Sequence, residues 1–204
     1  HGEHDLYGHE FCIYDPLVNV PLMVKHPEME SGRREDQQVE LVDLYHTVLD
    51  HTGVEASRST KPLDRERSLL SADYRDFASG DYAFVEYYRP VVELKQLEQK
   101  AADAGIELDT DSRFYSRMRA ARRPDAKYIR NERIGDEFYL LDSDPGETED
   151  LRGEETDEEV ELEGALSEFE ESVGGEWKEV EDDDVLGDMS DDAKDRLQDL
   201  GYID

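Results

Sequence analysis

Three prolines punctuate the most apolar stretch near the start of the chain, FCIYDPLVNVPLMVKHP at residues 11–27. Pro16, Pro21 and Pro27 lack an N–H and crowd the preceding turn of any helix, so no single long helix can run through this segment. PLMVKH, an apolar run held between two prolines, is then predicted to be a short buried strand of an α/β sheet. The ten residues before it, HGEHDLYGHE, have no hydrophobic period, and with Gly2 and Gly8 they read as a loop.

Helical spacing appears next. In VELVDLYHTVLDHTGVE, Leu41, Leu44, Tyr45, Val48 and Leu49 recur at intervals of three and four and form one apolar stripe, with Gly53 as the stop. Residues 55–80 read as loop. DYAFVEYYRP is rich in aromatics and predicts a strand, so Tyr82, Phe84, Tyr87 and Tyr88 are expected in a sheet core. VELKQLEQKAADAGI predicts a helix ending at Gly105. AKYIRNERIGDEFYLLDSD predicts an antiparallel hairpin that turns near Gly135, followed by a turn centred on Pro145-Gly146. Beyond residue 150 acids dominate. Leu162, Leu166 and Phe169 still predict one amphipathic helix, and Ser190 caps a second short one. Residues 174–188 read as a linker.

Charge narrows the choice of partners. The chain carries 55 acidic and 23 basic residues, a formal net charge of -32. Nucleic acids and anionic membrane surfaces are polyanions, so this balance argues against both. Such an excess suits a halophile, because molar salt shortens the Debye length to roughly 3 Å and screens self-repulsion. No stretch approaches the ~20 apolar residues of a membrane span. Cys12 is the sole cysteine, which excludes an intrachain disulfide and agrees with a reducing, cytoplasmic setting.

The density of imidazoles and carboxylates in HGEHDLYGHE raises the question of metal or nucleophilic chemistry. A zinc-protease helix needs H-E-x-x-H; His9-Glu10 starts that pattern, but Ile13 stands where the second histidine belongs. Cys12 lies near His9, yet it sits in an apolar run, where cysteine behaves as a small hydrophobe. A Ca²⁺ loop in EDDDV lacks the ligand spacing and the glycine that such loops need.

The order of features does have a counterpart. GEHDLYGH, then YDPLVNVPLMV, then LVDLYHTVLDHTGV, resembles the sulfatase family of the alkaline-phosphatase superfamily. Its members carry a loop like D-H-G-E-x-x-G-E-H-G-L-x-G-K/H, an aromatic–acid pair, x-V-P-L, and a helix beginning like LVDLYPTLLDLAGV. Asp5 replaces the usual glycine of the loop, and His46 stands where proline is common. ERSLLS resembles G-x-S-L-L-P, KYIRNERIGDEFYLLDSDPGETEDL resembles the family's terminal hairpin, and MSDDAKDRLQDLGYID resembles its short closing helix.

This resemblance implies the C-terminal part of an alkaline-phosphatase-like α/β/α sandwich, with a small antiparallel subdomain and a terminal helix. Residues 1–80 would end the catalytic α/β domain, 81–150 would form the antiparallel subdomain, and 151–204 an acidic tail with short helices. The implied activity is hydrolysis of a small-molecule or carbohydrate sulfate ester by a formylglycine nucleophile, assisted by Ca²⁺ or Mg²⁺. The C/S-x-P-x-R motif that yields formylglycine is absent, as is the family's first metal-binding aspartate pair, so the chain reads as a truncated enzyme, inactive alone. His9 aligns with the residue that contacts the sulfate or leaving-group oxygen, and His4 would support it. In the register that needs no deletion, His1 matches no ligand; in the other register it is a metal-side residue. A phosphodiesterase or phosphonate monoester hydrolase of the same superfamily is the nearest alternative, and a non-catalytic acidic interaction module is the other.

Overall fold

The computed structural model describes residues 2–27, 32, 34, 37–53, 63–71, 82–175, 177, 190 and 196. Its centre is a four-stranded antiparallel sheet in the order β1 (Ala83–Tyr87), β2 (Met118–Arg122), β3 (Ala126–Asn131), β4 (Glu137–Leu140). Around it lie α1 (Asp15–Val18), α2 (Leu41–Thr52), α3 (Val91–Ala104) and α4 (Asp157–Val173). The class is mixed α/β.

Both faces of the sheet are covered, and strand register decides which residues go where. Ala120 pairs with Ile129 and Ala121 with Tyr128, so neighbouring residues point to opposite faces. Met118, Ala120, Ile129 and Tyr139 face Cys12, Ile13 and Tyr14 of the N-terminal segment. Ala121, Ala126, Tyr128 and Phe138 face Leu162 and Leu166 of α4. The two alanines of β2 are fully buried, and their small side chains leave room for a layer on each side.

Helix α4 begins with Thr156, whose hydroxyl accepts from Glu159 N at 3.2 Å, and carries Asp157, Glu158 and Glu159 in its first turn. Carboxylates there sit at the positive end of the helix dipole. Phe169 stacks on Phe84 at 4.4 Å between ring centroids, tying the helix to the edge strand. Arg130 on β3 reaches Glu170 and Ser167 of the helix. The acidic C-terminal region thus contributes half of the sheet's cover.

The predicted hairpin is β3–β4, and the predicted helix up to Gly105 is α3, closed by that glycine at φ 69°. Two expectations are corrected. PLMVKH forms no strand: residues 21–26 run as exposed coil, with Met23 94% accessible. Pro21 cannot donate to a ladder, and no described strand lies beside the segment to pair with it. The apolar stripe of α2 does not face a core either. Leu41 is 78% and Val48 59% exposed, whereas Asp43 and His46 are buried.

Helix α2 is held by polar groups instead. Arg67 donates to Asp43 Oδ1 at 2.7 Å and to Glu40 Oε2 at 2.6 Å, while Glu40 Oε1 accepts from Phe84 N at 3.0 Å. His46 Nδ1 accepts from Asp64 N at 3.1 Å. Of the aromatic run, Phe84 and Tyr87 pack on the sheet, but Tyr88 is exposed. The closing helix expected at residues 190–202 and most of the 174–188 linker lie outside the described residues.

Candidate functional site

The loop that ends at Glu10 is a closed structure. Gly2 N donates to Leu6 O at 3.0 Å, and Leu6 N to Glu3 O at 3.0 Å. His4, Asp5 and Phe11 have φ of 55°, 60° and 67°, a left-handed backbone that non-glycine residues adopt at a cost. Such a path persists only where surrounding contacts hold it. Here His4 stacks on Tyr14, with ring centroids 3.6 Å apart and planes 11° from parallel, and Phe11 N donates to Tyr87 Oη at 2.8 Å.

Tyr14 anchors this end of the loop to the sheet. Its hydroxyl donates to Glu137 Oε2 at 2.6 Å and accepts from Arg113 at 2.7 Å. Tyr139 Oη donates to the same Glu137 oxygen at 2.6 Å. Burial, then the charge of Glu137, pushes the Tyr14 phenol well above its ordinary value, so it stays a donor. Burial likewise pushes Tyr87 up to about 12.

Asp15 makes the second anchor. Arg122 donates to its carboxylate at 2.7 Å, Lys127 Nζ lies 3.1 Å from Oδ1, and its own N–H donates to Glu147 Oε2 at 2.5 Å. Lys127, fully buried on β3, also donates to Ile13 O at 2.6 Å and lies 2.8 Å from Glu147 Oε1, close but poorly aligned for a hydrogen bond. Burial raises the Asp15 carboxyl, but Arg122 and Lys127 outweigh it and hold the group below its ordinary value. For Glu147 burial wins over Lys127, and its carboxyl is raised.

The sequence-predicted residues are placed as follows. His9 is exposed, its side chain 86% accessible; its Nδ1 lies 3.6 Å from Glu10 Oε1, and its N–H donates to Glu10 Oε2 at 3.0 Å. A Cβ on Gly8 would fall 2.0 Å from Glu10 Oε2, so glycine lets that carboxylate fold back against the loop. His4 is half-buried on Tyr14 and serves the anchor. The two imidazoles therefore belong to different environments, one packed and one presented to solvent. His1 lies outside the described residues. Cys12 is buried, and burial pushes its thiol up, which fits an inert packing group.

Among the described residues no group of three or more His, Cys, Asp or Glu side chains converges to hold a metal ion. The resemblance places the ligands of its Ca²⁺ or Mg²⁺ mostly outside this chain. No described helix is long and apolar enough to cross a membrane. The chemistry that the loop itself offers is one solvent-exposed imidazole, that of His9, beside the Glu10 carboxylate. Sequence reasoning missed the Asp15–Lys127–Glu147–Arg122 cluster. Its one signal was Lys127 between Ala126 and Tyr128 in the strand AKYIRN, where a buried charge needs a partner.

The chain was compared with family models, with curated proteins and with solved structures. None of the three comparisons found a match.

Proposed function

We propose that this chain is the C-terminal portion of a sulfatase-type hydrolase, in which the loop up to Glu10 borders the active site and His9 faces the sulfate ester. The observation that carries the reading is a mismatch between motif and burial. In the family pattern, the x-V-P-L segment and the following helix are buried layers of one large sheet. Here Val20, Leu22, Met23, Leu41 and Val48 are exposed in those same two elements. Apolar positions at helical and strand spacing, left open together in sequence order, are those expected to pack on a further layer. The anchors below the loop fit this role. Tyr14 and Asp15 correspond to the aromatic–acid pair of the pattern, and they fix the loop's exit while the His9 side chain stays solvent-exposed beside Glu10.

In this reading His9 binds sulfate charge as an imidazolium, or passes its proton to the departing alcohol oxygen. The nucleophile and the cation would come from sequence outside this chain. The coding sequence immediately before His1 is the first test: an in-frame D-H-G-E and an upstream C/S-x-P-x-R support the proposal, and a start codon next to His1 sinks it. The second test is an assay of the full-length enzyme on an aryl sulfate, with an aryl phosphodiester in parallel. His9→Ala should lower kcat/KM at least about 100-fold, the lower range for loss of general acid or base help. Unchanged kcat/KM would remove His9 from the site.

A further inference from the structure

His26 and His51 lie 25 residues apart and meet in space. His26 comes near the end of the exposed coil that follows α1, and His51 sits in the last turn of α2. His26 Nε2 is 3.1 Å from His51 Nδ1, the ring centroids are 4.9 Å apart, and the planes stand at 88°. Neither ring belongs to the two hydrophobic clusters that build the core.

We propose that this pair binds one divalent transition-metal ion, with His26 Nε2 and His51 Nδ1 as ligands and water completing the shell. Imidazole nitrogen is a good ligand for Zn²⁺, Ni²⁺ and Cu²⁺, with metal–nitrogen bonds of about 2.0–2.1 Å for zinc. Two such bonds meeting at an angle of about 100° put the nitrogens about 3.1–3.2 Å apart and the ring centres about 4.9 Å apart. Both separations are those found here. An in-line N–H···N hydrogen bond of this length would hold the ring centres farther apart, at about 5.4 Å. The metal-free contact is a ring-to-ring hydrogen bond that departs from the head-on arrangement, and its separations already match those a shared ion requires. His51 also stands where the negative end of the α2 dipole favours a cation. The site joins two elements that share no β-ladder, so the ion would tether the coil to the helix end.

Two protein ligands make a modest site, since no third His, Cys, Asp or Glu joins them among the described residues. The test therefore needs to separate it from diffuse cation binding by an acidic chain. Zn²⁺ is titrated calorimetrically into the wild-type chain, H26A, H51A and H9A at neutral pH in about 2 M NaCl, where exposed carboxylates are strongly screened. The wild type and H9A should show one saturable equivalent, weakened at least about tenfold in both H26A and H51A. Cu²⁺ electron paramagnetic resonance should show two coupled imidazole nitrogens in the wild type and one fewer in each variant. Thermal unfolding of the metal-free variants checks that folding is intact. Saturable Zn²⁺ binding that survives both substitutions, or no saturable binding at all, overturns the proposal.

Discussion

Lys127 shows how much one residue carries. Its amine is fully buried, donates to Ile13 O and Asp15 and pairs with Glu147, so with Arg122 it fixes the loop's exit to the sheet. Lys127→Met should destabilise the chain by about 3–5 kcal/mol, because it strands buried carboxylates without their partner. Adding Glu147→Gln should restore part of that loss; denaturant unfolding of both variants measures it. Acid acts on the same cluster through Asp15. Its folded pKa lies below the ordinary 3.8, so its contribution is fully present above 3.8 and is lost as pH falls through the lower folded value. Asp15→Asn should therefore lower stability at pH 7 and flatten the decline below pH 4; an equally steep decline in the variant would clear Asp15. Glu147 runs the other way. Its raised carboxyl favours folding below its ordinary 4.5 and opposes it as pH rises through the higher folded value. Little of this was legible beforehand. Asp15 is one letter of a motif and Glu147 one of a turn, and their common partner lies more than a hundred residues from Asp15. His9 was legible as a loop imidazole, and the structure adds that the fold leaves it to solvent.

At the scale of elements, the sequence predicted best where local chemistry and burial agree. The β3–β4 hairpin and α3 with its terminal glycine were readable because a turn or stop residue stands at the expected end, and α4 was readable from the spacing of Leu162, Leu166 and Phe169; its Thr156 cap was not read beforehand. Strand β2 was not. MRAAR lacks the alternation and the branched residues that signal a strand, because it is covered on both faces and its alanines make room for the layers. PLMVKH and the α2 stripe failed in the opposite sense: their patterns predict burial, and the described layers leave both open. Helices α4 and α2 separate by mutation. Leu162 and Leu166 are fully buried against the sheet, so Leu162→Ala should cost about 2–5 kcal/mol in unfolding free energy. Leu41→Ser on α2 should cost less than about 0.5 kcal/mol in this chain, as exposed substitutions do. If the chain is part of a longer sulfatase-type protein, as proposed, the same Leu41→Ser should become costly there, since the proposed further layer would cover it. Equal effects in the short and full-length chains would argue against that layer.

For the whole molecule the question is how a net charge of -32 is compatible with a compact sheet. Several basic residues stand where they bind the layers together. Arg122 and Lys127 hold the N-terminal segment on one face. On the other, Arg119 and Arg130 reach α4, and Arg119 also stacks 4.3 Å from the Trp177 ring centre. Most of these pairs are partly or fully buried, so added salt screens them little, whereas the surplus carboxylates repel one another through solvent. The two effects therefore do not cancel. At 0.1 M salt the Debye length is about 10 Å, long enough for surface acids to feel many neighbours, and at 1 M it is about 3 Å. Raising NaCl from 0.1 to 2 M should lift Tm by roughly 5 °C or more, equivalent to about 1–2 kcal/mol for a chain of this size. Lys127→Met should show the same salt increment from a lower baseline, because the lost pair is buried and the relieved repulsion is not. A Tm that stays flat or falls with salt would mean that the exposed ion pairs outweigh the repulsion, and the acidic surplus would then need a role other than adaptation to concentrated salt.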